Sequence, residues 1–198
     1  WLGSLIRLNC EIFVECSLEM DLDDLTPLVS PKNAPKSALT VCLSTRSAYH
    51  LPIARKFVTA LRHRGLIGEK SAPTVEMAVQ ESFANSLIHG SLELDTSGHL
   101  SMDSFTELGE ETERRLASKQ HGARAMVLTA RKRKNGHILI SIHDQGKGFT
   151  PPNKKEIKDV AAHESTFGRG LPLVRSLCHS VNFSRGGRTI ELEFDHDN

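Results

Sequence analysis

No stretch of this chain approaches the roughly 20 consecutive apolar residues that a membrane-spanning helix needs, and no signal-peptide pattern opens it. A cytoplasmic protein without membrane contact is expected. Charge of one sign is also lacking: 25 Lys and Arg against 24 Asp and Glu leave a formal net charge of +1. With no basic excess to neutralise phosphates, the composition argues against a general nucleic-acid binder. Cysteine is sparse. The four, at positions 10, 16, 42 and 178, form no CxxC pair and no metal-ligand spacing, and read as reduced thiols packed as small hydrophobes. Finally, no GxxxxGK followed by Ser or Thr occurs, which excludes a P-loop.

What is present suits one globular domain: 198 residues, 38% hydrophobic and 25% charged. The chain starts on Trp1 rather than Met, as expected of a piece of a longer protein. Residues 5–16 are strand-like but without clean alternation. An acidic stretch follows (Glu19, Asp21, Asp23, Asp24), then a segment punctuated by Pro27, Pro31 and Pro35 that reads as a linker. Residues 1–37 are therefore an N-terminal extension and linker, and 38–198 the compact domain.

Within that domain, residues 38–44 predict a strand. Leu51, Ala54, Phe57, Val58 and Leu61 recur at helical spacing and predict a helix over 49–64 that stops at Gly65. Pro73 suits the first turn of a second helix, running through Glu76, Val79, Phe83 and Leu87 to Gly90. Residues 91–120 are polar, with a charged helical piece at 107–119. Strands at 125–132 and 137–143 are joined by Asn135-Gly136, a hairpin signal, and Arg131-Lys132-Arg133-Lys134 reads as a solvated strand end. A loop over 150–167 leads to a helix over 171–178 beginning near Gly170. Strands near 181–184 and 189–194, turned by Gly186-Gly187, close the chain. This order predicts an α/β two-layer sandwich: a mixed, mainly antiparallel sheet covered on one face by helices.

Two stretches carry chemistry. The first is Glu81-Ser82-Phe83-Ala84-Asn85 followed by His89-Gly90. On a helix, Glu81, Asn85 and His89 line one face, beside an apolar surface that includes Ala78, Val79, Phe83 and Leu87. A neutral amide oxygen suits magnesium, which keeps waters and takes phosphate oxygens, and a glutamate one turn earlier can accept a proton. The same spacing also suits a solvent-facing polar stripe. The second stretch is Asp144-Gln145-Gly146-Lys147-Gly148-Phe149, after the apolar strand Ile138, Leu139, Ile140, Ile142. A carboxylate at a strand end can accept from the exocyclic amine of adenine and would reject the carbonyl of guanine, although a plain turn reads the same way. Gly168-Arg169-Gly170-Leu171 then opens a helix whose free N–H groups attract anions. In this order the three suit a magnesium–nucleotide site.

Together they resemble the GHKL superfamily (Bergerat fold), the ATP-binding domains shared by DNA gyrase, heat-shock chaperones, mismatch-repair proteins and sensor histidine kinases. Residues 81–90 resemble its N box, 144–149 its G1 box and 168–171 its G2 box. Val79 to Gly90, and Gly168-Arg169-Gly170-Leu171-Pro172-Leu173-Val174-Arg175-Ser176-Leu177, look most like the bacterial anti-sigma-factor serine/threonine kinases. The resemblance covers roughly residues 38–195. It implies Glu81 as catalytic base, Asn85 as magnesium ligand with His89 on the same face, and Asp144 as the reader of adenine. Gly146 and Gly148 would let the loop fold over the nucleotide and 150–167 would be an ATP lid. Gly168, Arg169 and Gly170 would contact phosphates, and Leu171 would belong to the same nucleotide-binding segment. Thr189 resembles the family threonine near adenine, although Arg188 separates it from Gly187.

The implied activity is ATP- and Mg2+-dependent phosphorylation of a STAS-type anti-sigma-factor antagonist, with a sigma factor or other regulator as a further partner and a homodimer as the assembly. The alternatives are a nucleotide-gated module that sequesters a regulator without phosphorylating it, and a histidine-kinase catalytic domain. The latter normally follows a helical hairpin bearing a phosphoacceptor histidine, which residues 1–48 do not show. Two features depart from the pattern. Residues 91–120 are longer than in small stand-alone kinases, with Ser91-Leu92-Glu93-Leu94 resembling versions attached to response regulators or phosphatase domains. Residues 1–37 lie outside the match and are available to dock a partner or a second copy.

Overall fold

In the computed structural model, which describes residues 12–15, 39–96, 102–150 and 170–195, six strands form one sheet in the order β1-β2-β3-β4-β6-β5. They are β1 (Ile12–Val14), β2 (Leu39–Ser44), β3 (Ala125–Lys132), β4 (Ile138–His143), β5 (Ser180–Ser184) and β6 (Thr189–Phe194). Only β1 and β2 run parallel; every other pair is antiparallel. Cross-strand register sorts the two faces, because successive side chains on a strand point to opposite sides. Val41, Leu128, Ile142, Ile190 and Phe183 form one row across the sheet, and all but Phe183 are buried. One residue along, the row is Thr40, Thr129, Ser141, Glu191 and Asn182. The apolar rows face the helices and the polar row faces away, which is the expected two-layer sandwich of mixed, mainly antiparallel sheet.

The helices that cover the apolar rows are α1 (Thr45–His50), α2 (Ile53–His63), α3 (Ala72–Asn85) and α6 (Gly170–Leu177), with α4 (Met102–Ala117) and the short α5 (Lys119–Gly122) between α3 and β3. Helix α2 buries Ala54, Phe57, Val58 and Leu61, four of the positions whose spacing predicted a helix, together with Ile53. Helix α3 packs against both α2 and α6. Among the described residues no helix is long and apolar enough to cross a membrane.

Three local differences from the sequence expectation have physical reasons. The helix expected over 49–64 is two helices, because Pro52 forces Leu51 into extended backbone (φ −114°, ψ 143°) and the chain restarts at Ile53. Ser44 then caps α1, its hydroxyl accepting from the Ser47 N–H at 3.2 Å. The helix expected to continue through Gly90 widens after Asn85 into a π-helical turn, Ser86–Ser91. The charged piece expected at 107–119 starts earlier, at Met102, and stops before Ser118, which caps α5.

The Asn135-Gly136 signal does mark a hairpin. Arg133 N–H donates to His137 O at 2.8 Å, so three residues make the turn, and Gly136 takes the left-handed conformation (φ 90°) that such turns place last. The adjoining basic residues Arg131 to Lys134 are exposed, as a solvated strand end. From the N-terminal extension, β1 joins the sheet as an edge strand. Glu15 fastens it, accepting from the Ser44 N–H at 2.7 Å and the Ser47 hydroxyl at 2.6 Å. Cys42 and Cys178 are free thiols that burial pushes up to about 12, so both stay protonated and inert. Cys10 and Cys16, the linker prolines, nearly all of the 150–167 loop, and Gly168 and Arg169 lie outside the described residues.

Candidate functional site

Between α3, α6 and the ends of β4 and β6 lies a cavity of about 400 Å³. Leu171, Val174, Phe183 and Ile190 give it apolar walls; Ser82, Asn85, His89, Glu93, Asp144 and Lys147 give it polar ones. Apolar walls with a few convergent polar groups are the ordinary form of a small-molecule site.

Among the described residues Asp144 is its one fully buried carboxylate. Strand β4 ends at His143 and the Asp144 N–H donates to Arg188 O at 3.0 Å, which holds the backbone against the start of β6. The side chain is 3% exposed, and Oδ1 accepts from the Gly146 N–H at 2.8 Å. Burial pushes its carboxyl up to about 7, against the Gly146 N–H and the charges of Arg124 and Arg188, which all favour ionisation. With one oxygen engaged, Oδ2 is left for a donor in the cavity.

Glycine is required where the backbones of residues 90 and 146 close on the Asp144 side chain. A β-carbon on Gly90 would lie 2.6 Å from Asp144 Cγ, and one on Gly146 would collide with the Gly90 carbonyl. Nothing there can move easily, because Asp144 is pinned at both its N–H and its Oδ1. Gly90→Ala is expected to weaken nucleotide binding at least tenfold and to lower the urea midpoint, the usual outcome of overpacking, at about 1–3 kcal/mol. Fluorescent-nucleotide titration beside urea melts checks both. Wild-type affinity would show that the close approach is dispensable. A second glycine, Gly148, takes φ +73°, and the following Phe149 N–H donates to Gly186 O at 3.0 Å, docking the loop on the β5–β6 turn.

Glu81 and Asn85 stand one turn apart on α3, and the Asn85 amide donates to Glu81 Oε1 at 3.2 Å. That bond fixes which end of the amide is nitrogen and leaves Asn85 Oδ1 as an acceptor at the cavity wall. Glu81 is not a wall residue of the cavity. Its carboxylate lies against Gly170 at the start of α6, where a β-carbon would strike it. The π-helical turn then carries His89 and Gly90 to the cavity, and His89 Nδ1–H donates to Leu94 O at 3.0 Å. Such turns are frequent at functional sites.

Thr189 goes elsewhere. It pairs with His143 across the β4–β6 ladder, on the face opposite Ile142 and Ile190, and its hydroxyl meets His143 Nδ1 at 2.8 Å. The structure thus brings Asn85, His89, Asp144, Gly148 and Leu171 to one cavity. Glu81, Gly146 and Gly170 lie immediately beside it, and Thr189 is on the far side of the sheet.

Sequence reasoning did not find the cluster that forms one rim. Arg124 reaches Glu93 Oε1 at 2.9 Å and the Ser91 carbonyl at 2.6 Å, and Lys147 reaches Glu93 Oε2 at 3.1 Å. Burial would raise the Glu93 carboxyl, but Lys147 and Arg124 outweigh it and hold the group below the usual carboxylate range. Glu93 itself takes left-handed backbone (φ 55°). Only tertiary structure joins positions 93, 124 and 147, so no local pattern could reveal them. Gly90 and Ser82, by contrast, sat inside the first stretch.

The residues present fit a magnesium–nucleotide ligand. Ser82 Oγ is buried at the cavity wall without a hydrogen-bond partner among the described residues. Asp144 is a buried acceptor at the cavity wall, and Asn85 offers a hard oxygen that suits a hydrated magnesium ion. Comparison with known proteins agrees. The family model of the histidine kinase-like ATPase domain matches residues 43–194, well over half of the chain. No curated protein matches it.

Proposed function

The chain belongs to the histidine kinase-like ATPase family, and from that premise we propose that it is an ATP-dependent serine/threonine protein kinase and anti-sigma regulatory factor acting on a STAS-type antagonist. Family membership carries the coarser part, an ATP-binding domain of kinase-like regulatory type. The finer part rests on one observation: an acid, Glu81, stands one helical turn before Asn85 and against the backbone where α6 begins.

ATP would lie with adenine against Leu171, Val174, Phe183 and Ile190, its amine donating to Asp144, and with its phosphates toward Asn85 and the start of α6. When bound, ATP supplies the transferable γ-phosphoryl group, and magnesium held by Asn85 Oδ1 offsets phosphate charge. The chain's own contribution is mostly positioning. Glu81 takes the proton of the partner's seryl hydroxyl as that oxygen bonds to phosphorus and ADP leaves. The Asn85 amide keeps the Glu81 carboxylate aimed at that hydroxyl. In its ATP state the same surface would hold a sigma factor or another regulator, and the working assembly would be a homodimer.

Incubation with γ-labelled ATP, magnesium and a STAS-domain protein tests this. Acid-stable label on a serine or threonine of the partner is the expected result. Acid-labile label would instead mark histidine chemistry. No label, with ATP binding confirmed separately, would leave a nucleotide-gated binding module.

A further inference from the structure

At the end of β4 remote from Asp144, roughly 20 Å away at the usual rise per strand residue, three side chains converge on the polar side of the sheet. His137 precedes β4 and Asp195 follows β6, opposite one another just beyond the last ladder pair, Ile138 and Phe194. His179 precedes β5, placed by its N–H, which donates to Glu193 O at 2.8 Å. An Asp195 carboxylate oxygen lies 3.0 Å from His179 Nδ1 and 3.5 Å from His137 Nε2. One donor atom from each of the three falls within 4.8 Å of the others, the only such group of His, Cys, Asp and Glu among the described residues.

Glu193 fixes the orientation of the His137 ring. His137 Nδ1 meets Glu193 Oε1 at 3.1 Å, and a carboxylate can only accept, so that nitrogen carries hydrogen. Nε2, on the far side of the ring, faces Asp195 Oδ1 at 3.5 Å, and either a proton on that nitrogen or a metal ion between the two satisfies both. Glu193 is itself firmly held, by the Ser180 hydroxyl at 3.0 Å, the Asn135 amide at 3.5 Å and Arg133 at 3.6 Å. A buried, fixed carboxylate on the far nitrogen of an imidazole is the arrangement that orients metal-binding histidines and sets their tautomer.

The spacing decides the class of ion. Zinc bonds of about 2.0–2.2 Å in tetrahedral geometry separate ligand atoms by about 3.3 Å. The two spacings to Asp195, 3.0 and 3.5 Å, bracket that value. The side chains of His179 and Asp195 are 51% and 72% exposed, which leaves both free to turn and close the third spacing. Two imidazoles and one carboxylate suit zinc, cobalt or nickel, whereas magnesium and calcium prefer oxygen alone.

We propose that His137, His179 and Asp195 form a binding site for a divalent transition metal of the zinc class, with Glu193 orienting His137. Three protein ligands leave a fourth position for water or for a donor from another molecule. Bound metal would clip together the β3–β4 hairpin, the α6–β5 junction and the end of β6, a different part of the sheet from the nucleotide cavity.

The test is titration of EDTA-treated, dialysed protein, without nucleotide, with Co2+ followed by its visible d–d absorption, and with Zn2+ by calorimetry. One saturable equivalent, with the strong bands of low-coordinate cobalt, is expected. His179→Ala and Asp195→Asn, both exposed and checked for folding by circular dichroism, should each weaken binding at least tenfold. Glu193→Gln should weaken it about tenfold as the orienting carboxylate is lost. Absence of saturable uptake by the wild-type chain overturns the proposal. So does uptake that both His179→Ala and Asp195→Asn leave undiminished, since the metal would then sit elsewhere.

Discussion

Glu81→Gln should bind ATP within about twofold of the wild-type chain yet transfer phosphate 10²–10⁴ times more slowly, the usual range for removing a general base. The substitution isolates proton transfer because glutamine matches glutamate in size. Its amide oxygen can still accept from Asn85, so the 3.2 Å contact that positions both side chains survives. The close packing against Gly170 is likewise unchanged. What disappears is basicity, and with it the destination for the seryl proton. Single-turnover transfer of labelled phosphate, set beside equilibrium nucleotide binding, separates the two quantities. A variant that transfers at the wild-type rate would remove Glu81 from the reaction. One that loses ATP binding as well would make Glu81 part of the nucleotide site instead.

Asp144→Asn is expected to cost at least a hundredfold in ATP affinity while making the free protein more stable above pH 7. Both effects come from burial. The adenine amine is a donor, and an asparagine that keeps its oxygen on the Gly146 N–H turns its own NH2 toward that donor, so attraction becomes clash. For stability, the Asp144 carboxyl titrates near 7 in the folded chain against an ordinary value of 3.8. Folding therefore favours its protonated form. That contribution is complete below about 3.8 and is lost as pH rises toward 7, above which a buried carboxylate is a net cost. Asparagine avoids the cost, so urea melts at pH 8 should show it more stable by on the order of 1–3 kcal/mol. By the same logic wild-type ATP affinity should rise from pH 6 to 8 as the acceptor ionises, and the variant should lack that rise. Tight ATP binding by Asp144→Asn would dissociate adenine recognition from this carboxylate.

The sequence showed the sheet more clearly than the helices. Strand β3 was legible to the residue, because a turn signal and a polar approach bracket a continuous β-forming run. The helix over 49–64 was misjudged because apolar spacing runs on across Pro52, and only the geometry preceding proline reveals the break. The π-helical turn had no signal at all, since widening a turn by one residue changes no residue type. In the site, Glu81, Asn85 and His89 were visible as a helical stripe and Asp144 as the end of an apolar strand. Thr189 shows what adjacency cannot fix: one residue, Arg188, sets the parity of β6 and so the face on which that hydroxyl emerges. The Glu93–Arg124–Lys147 rim and the His137–His179–Asp195 cluster were invisible for the same reason. Their members come from segments far apart in the chain and meet only after folding.

The widened turn at Ser86–Ser91 can be seen as a phase shift. Each α-helical residue advances the side chain by about 100°, and the one surplus residue accommodated here resets the angular position of everything after it. Deleting a residue such as Ile88 would restore regular winding and strengthen the helix as a helix. It would also swing Gly90 away from Asp144 and put a neighbour's side chain in the gap that the carboxylate requires. A better helix would be a worse site, so the wide turn is where local regularity yields to the geometry of the cavity.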